Sequence, residues 1–207
     1  DAFEAVVGGG GGHARAVLPS SADADEVALG LARGDDVLVG EGTFDPPTEP
    51  PDADGQGVPY ATYAFAAHLA EVEVDVALGT VKVRRMVAAH DGGRPLNPLQ
   101  FEGQIDGGVA QGLGLALMEE FVPGRTENLH DYLIPTIGDM PEIEYVVVED
   151  PEPTGPWGAK GIGEPTLIAT PPAIFGAIYH ATGVRLTQAP ATPGRVRAAI
   201  LAHNGNS

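Results

Sequence analysis

The sequence predicts an α+β fold, a mixed sheet with a β-hairpin and packed helices, and three observations predict it. Period-two alternation runs through Leu69–Val76 and again through Val81–Arg84, the pattern of two strands that each bury one face. A helical stripe of Leu99, Ile105, Val109, Leu113, Ala116 and Leu117 follows. Strands and helices then mix without a strict strand–helix–strand alternation, which argues against a doubly wound parallel sheet.

Taken in order, the chain opens with Gly8 to Gly12, read as a linker or a glycine-permissive loop. No Gly-Lys-Ser/Thr follows, so this run lacks the signature of a phosphate loop. Asp23–Arg33 reads as a short helix and DDVLVGEGTF as a strand. The proline-rich run from Pro46 to Pro59 is read as irregular, a long connection lying on a neighbour's surface. In the hairpin, the first strand is acidic and the second basic, so cross-strand charge pairs are expected.

The next helix carries Gly103, Gly107, Gly108, Gly112 and Gly114. Each glycine costs roughly 1 kcal/mol against alanine in a helix interior. Close approach of another backbone or a ligand is the economical reason for so many. Glu119 and Glu120 read as a solvated helix end. A strand is expected at Glu144–Glu149, a helix at Thr170–Thr182, a short strand at Val184–Thr187 and a last helix at Thr192–His203. Thr170-Pro171 and Thr192-Pro193 both look like an N-cap followed by a first-turn proline.

Composition narrows the function. With 11 Lys and Arg against 29 Asp and Glu, the formal net charge is −18. Nucleic acid, which is gripped by cations that release counterions, is excluded as a partner, and anionic membrane surfaces are disfavoured. A phosphorylated cofactor would have to be held by backbone N–H groups, or by cations from a partner. The sequence has no cysteine, so any thiolate-bound metal or iron–sulfur cluster belongs on another polypeptide. No apolar run is long enough to span a bilayer and no signal-peptide pattern opens the chain, so a cytoplasmic location is expected. The chain opens on Asp1, and a processed product, a fragment or one piece of a split protein is expected.

The stretch GAKGIGE, Gly158 to Glu164, is nearly free of side chains and ends in one carboxylate before Pro165. A surface turn with a solvated glutamate would explain it, and so would a backbone-bare approach to a bulky group. His68, His90 and His130 have no metal-ligand spacing and read as structural.

Taken together, GQIDGGVAQGLGLALMEE, DYLIPTIGDMPEIE and GAKGIGEPTLIATPPAIFGAI, in this order, resemble the C-terminal end of the molybdenum-binding subunit of the xanthine dehydrogenase, aldehyde oxidase and carbon monoxide dehydrogenase family. GQGVPYATYAFAAHLAEVEVDVALG and HDGGRPLNP fit the same pattern, and the resemblance covers roughly residues 40 to 201. It implies residues 1–40 as an N-terminal segment without an assigned structure and 41–207 as the C-terminal portion of a molybdopterin-binding domain.

The resemblance also implies a chemistry: hydroxylation of a purine, aldehyde or N-heterocycle with water-derived oxygen at a molybdenum–molybdopterin cofactor, with a cytosine dinucleotide form as one option. Glu164 matches the family's active-site base, and Gln104 matches the glutamine that hydrogen-bonds the cofactor. Gly108, Gln111, Lys160, Gly161, Ile162 and Gly163 are expected along the cofactor. Gln111 shares a face with Gln104, and either contact or structure explains it; Lys160 offers either its charge or only its backbone. A whole molybdenum subunit is several times longer. The remaining molybdenum-subunit polypeptide is therefore expected as a partner, presenting glycine turns and an arginine, with iron–sulfur clusters and FAD on further subunits. The alternative is a non-catalytic, truncated relative acting in assembly or cofactor insertion.

Overall fold

The computed structural model describes residues 12–19, 37–44 and 47–205. The helix expected at Asp23–Arg33 and the first four residues of the glycine run lie outside the described residues. The chain divides into two compact units, Asp1–Ala61 and Thr62–Ser207.

In the first unit, β1 (Gly12–Pro19) and β2 (Val37–Phe44) pair antiparallel, from Gly12 opposite Phe44 to Pro19 opposite Val37. The residues following the glycine run are thus a strand, which proline- and glycine-based punctuation alone did not signal. The proline-rich connection closes on itself. Glu49 and Val58 exchange backbone hydrogen bonds of 2.8 and 3.0 Å, and the Asp52 carboxylate accepts from Asp54 N and Gln56 N.

The second unit is built on β3 (Ala66–Asp75), β4 (Thr80–Asp91) and β5 (Glu142–Val148), in the order β3-β4-β5. The hairpin β3–β4 is antiparallel, with a bulge between Glu71 and Val72. Its charges pair as expected, Arg84 with Glu73 and Arg85 with Glu71 and Glu144. The tight connection is shaped by Asp75, which accepts from Ala77 N and Leu78 N at 2.9 and 3.0 Å. β5 lies parallel to β4. Parallel neighbours need a long crossover, and α1 (Pro98–Leu117) provides it.

α1 begins at the Asn97 cap, whose side chain accepts from Gln100 N at 3.1 Å, with Pro98 in the first turn. The core forms where its inner face meets β4 and the later helices. Val83, Met86 and Ala88 face Ile105, Val109 and Leu113 of α1. Ile174 and Ile178 come from α3 (Thr170–Thr182), and Val196 and Ile200 from α4 (Pro193–Gly205). A short turn of helix, α2 (Pro165–Ile168), precedes α3. No described helix is long and apolar enough to cross a membrane.

Four expectations are corrected here. Leu99 is 79% exposed, and Phe101 takes its place on the buried stripe. Val184–Thr187 forms no strand; Val184 is buried by its side chain and not by a ladder. Thr170 does not cap α3: Ala169 occupies the cap position, and the Thr170 hydroxyl sits one residue inside the helix. Glu119 and Glu120 are not a loose helix end, since Tyr132 donates to Glu119 at 2.7 Å and Arg195 pairs with Glu120.

Candidate cofactor site

Loop 158–164 is anchored at its start and bare at its end. Arg94 N donates to the Gly158 carbonyl at 2.8 Å, and Lys160 N donates to the Gly92 carbonyl at 2.9 Å. A Cβ on Gly93, where φ is +64°, would stand 2.3 Å from the Gly158 carbonyl oxygen, so this approach requires glycine. The Lys160 ammonium bonds Asp91 at 2.7 Å and reaches Asp150 at 3.3 Å. Both members of the first pair are buried, 5% and 7% exposed. The hydrogen bond with Asp91 raises the Lys160 pKa against the lowering effect of its burial. The Lys160 charge is therefore already matched inside the protein, and its backbone N–H is taken by the Gly92 carbonyl.

Beyond Lys160 the loop comes into the open. Ile162 is half-buried against the core, while Gly161, Gly163 and Glu164 are exposed. A Cβ built on Gly163 would lie 3.7 Å from Gln104 Oε1. The fold thus brings the loop end against α1 at Gln104, 59 residues earlier in the chain by the difference of the two numbers.

α1 presents an outward face made of Gln100, Gly103, Gln104, Gly107 and Gln111, all exposed. Nothing lies within 4 Å of a Cβ built on Gly103 or Gly107. The acids of this helix point elsewhere. Asp106 accepts from the Tyr145 hydroxyl at 2.6 Å, a bond that pushes the Tyr145 pKa up to about 12. Gly108 is corrected: it is buried, and a Cβ there would meet Thr166 Oγ1 at 2.1 Å. It packs against α2 and not against an open face. Beside Gln104, a cavity of about 730 Å³ is lined by Arg94, Asn97, Gln100, Phe101, Lys160 and Ile162 among others. None of its lining residues is acidic. Sequence reasoning missed Arg94 and Gln100. Both are plain in the sequence, a lone cation in the glycine turn before the helix cap and an amide one turn before Gln104, but neither marks a site until the cavity beside them is seen.

This arrangement can be compared with known proteins. The family model described as the molybdopterin cofactor-binding domain matches residues 7–141, most of the chain. The chain belongs to this family. The match begins inside the segment left unassigned by the sequence and stops before Gly158–Glu164. A putative xanthine dehydrogenase molybdenum-binding subunit of Escherichia coli K12 is 41% identical over 139 residues, 64% of this chain and 18% of its own length. An aldehyde oxidoreductase of Megalodesulfovibrio gigas is 42% identical over 153 residues, 72% of this chain and 16% of its own length. The crystal structure of the aldehyde oxidoreductase from Desulfovibrio desulfuricans superposes with a TM-score of 0.73 at 40% identity, covering 85% of this chain and 19% of that one. The chain thus spans only about a fifth of the length of the curated relatives it matches.

The residues present fit a molybdopterin. The group is bulky and anionic, and the outward face of α1 is free of carboxylates and bare at two glycines, with neutral amides that can donate or accept. His68 and His90 lie together in the interior, with Nε2 atoms 2.7 Å apart, and His130 is exposed. Among the described residues, no group of three His, Asp or Glu side chains is placed to hold a metal ion.

Proposed function

We propose that this chain supplies one wall of the active site of a molybdenum hydroxylase, with Glu164 as the base. The observation that carries this reading is the closeness of Gly163 to Gln104, whose Oε1 lies 3.7 Å from where a Cβ on that glycine would stand. It sets Glu164 at the rim of a face that has amides and bare backbone but no other acid. When bound, the molybdenum–pterin group supplies the two-electron oxidation that introduces a water-derived oxygen into a purine, aldehyde or N-heterocycle.

Gln104 and Gln111 hydrogen-bond the cofactor from α1, and the backbone of Lys160, Gly161, Ile162 and Gly163 lines its path. Arg94, on the cavity wall, would offer one cation to its anionic part from this chain. Glu164 accepts a proton on its carboxylate, and Pro165 directly after it starts α2 and limits how far it swings. The rest of the site, the iron–sulfur clusters and FAD lie outside these residues, which include no cysteine and cover only a small part of the relatives' length.

Glu164→Gln in the assembled enzyme is the test. Glutamine is nearly isosteric, so molybdenum content is expected to stay at the wild-type level while turnover falls by about a hundredfold or more. Turnover near wild type with full molybdenum content removes Glu164 as the base.

A further inference from the structure

Between the sheet and the loop that carries Glu164 runs a chain of four side chains, three of them buried and His68 half-buried. His90, at the end of β4, is wholly buried, and its Nε2 lies 2.7 Å from Nε2 of His68 on β3. The other nitrogen of His68, Nδ1, lies 3.0 Å from the Thr170 hydroxyl. Thr170 donates to the Thr166 carbonyl at 3.4 Å, and Thr166 donates to the Gly163 carbonyl at 2.9 Å. Both threonines are wholly buried.

One set of proton positions satisfies every link. If Thr170 donates to Thr166, His68 must donate from Nδ1 to the Thr170 oxygen. Its Nε2 is then a bare acceptor for Nε2–H of His90. That leaves His90 Nδ1 as the unpartnered atom at the far end, which is where the structure has its orphaned buried nitrogen. The opposite direction would leave an N–H donor buried without a partner. It would also forfeit the bond to Thr166.

The helix α1 is shaped to receive this chain. Gly108 and Gly112, one turn apart, leave room for Thr166 and Thr170, one turn apart on the facing segment. A Cβ on either glycine would come within 2.1 Å of Thr166 Oγ1 or 2.5 Å of Thr170 Cβ. The chain ends on a carbonyl oxygen, which takes a hydrogen bond but passes no proton on to the neighbouring carboxylate. Its effect is on position.

We propose that Thr166 is a positioning residue for Glu164, held in turn by Thr170 and the His68–His90 pair. This rests on Glu164 being the base. Through its bond to Gly163, Thr166 fixes the peptide from which Glu164 projects. A shift of that peptide would displace the carboxylate while leaving Gln104 in place on α1.

The test compares Thr166→Ser, Thr166→Ala and Thr166→Val in the assembled enzyme that contains this chain. Alanine and valine are expected to lower kcat by about tenfold or more, because small misplacements of a reacting group are costly. KM is expected to stay within about twofold and molybdenum content at the wild-type level. Serine, which keeps the hydroxyl, is expected to restore kcat. Amide exchange over residues 161–164, followed by mass spectrometry, is expected to be about tenfold faster with alanine and valine, but not with serine.

Equal kcat and equal exchange in the serine and alanine variants would overturn the proposal. So would assembly of the serine variant alone, which would make the hydroxyl a requirement of folding and not of the aim of the carboxylate. Thr170→Val extends the test by one link, with exchange over 161–164 again faster; unchanged exchange removes Thr170 from the chain. Glu164→Gln separates the two readings. Wild-type turnover there removes the base, while exchange in the Thr166 variants still decides whether the hydroxyl holds the loop.

Discussion

The two sides of α1 both carry glycine, and for opposite reasons. On the inward side Gly108 and Gly112 are filled notches, each occupied by a threonine of the facing segment. On the outward side Gly103 and Gly107 face open space, with nothing among the described residues within 4 Å of an added Cβ. The inward glycines make the fold, and the outward ones leave a surface that no described residue covers. A glycine count alone does not separate the two; the atom that a Cβ would strike does.

Substitutions can break this contrast. Gly108→Leu is expected to destabilise the chain by about 3 kcal/mol, because overpacking outweighs the better helix propensity of leucine. Denaturant unfolding measures it, and a stabilised variant would show that the notch is not filled.

Acid provides the next largest effect, on the hydrogen-bonded chain behind the same notch. Burial lowers the pKa of His68 to about 4, with the nearby His90 adding to the effect, and burial lowers that of His90 as well. Both rings are neutral in the fold and protonate more readily in the unfolded chain. Stability therefore falls as pH drops from about 6.5 toward 4 and the loss levels off below that. We expect roughly 2 kcal/mol from His68 after allowing for its partial contact with water. Unfolding of wild type and His68→Leu at a series of pH values isolates this slope; equal slopes would remove His68 from the linkage.

On the outward side the sign reverses. Gly107→Ala is expected to stabilise the chain by about 0.5–1 kcal/mol in denaturant unfolding, since its Cβ meets nothing. In the assembled enzyme the same substitution is expected to lower molybdenum content. A variant that is both more stable and fully loaded would show that this face is not covered closely. The smallest effect is expected on the sheet: Arg84→Ala removes an exposed ion pair with Glu73 and costs under about 0.5 kcal/mol.

The same distinction explains what the sequence made legible. The hairpin was readable with its charge pairs, because alternation and cross-strand partners are local. The helix was readable from its apolar period, although Leu99 misled where Phe101, two residues on, is the buried one. The meaning of Gly108 was not readable, since Thr166 lies 58 residues on by the difference of the numbers. Nothing near Lys160 in sequence announces that its charge belongs to Asp91, 69 residues away. Thr170 followed by proline has the local form of a cap, but its hydroxyl is claimed by Thr166 and His68. In the candidate site, the bare loop with its single carboxylate stood out. Arg94 did not, because a lone cation in a turn becomes informative only when a cavity is seen beside it.

The parallel strand β5 has a consequence for handling the protein. Among the described residues it ends the sheet, and Val146, Val147 and Val148 are 40, 40 and 45% exposed. Such a border offers a row of backbone donors and acceptors to any other extended chain. Glu142, Glu144, Glu149 and Asp150 surround it, and with a net charge of −18 two copies repel each other at neutral pH. As acid neutralises those carboxylates the repulsion fades while the valines stay. Colloidal stability, and not folding alone, then sets the lowest pH at which the chain can be concentrated.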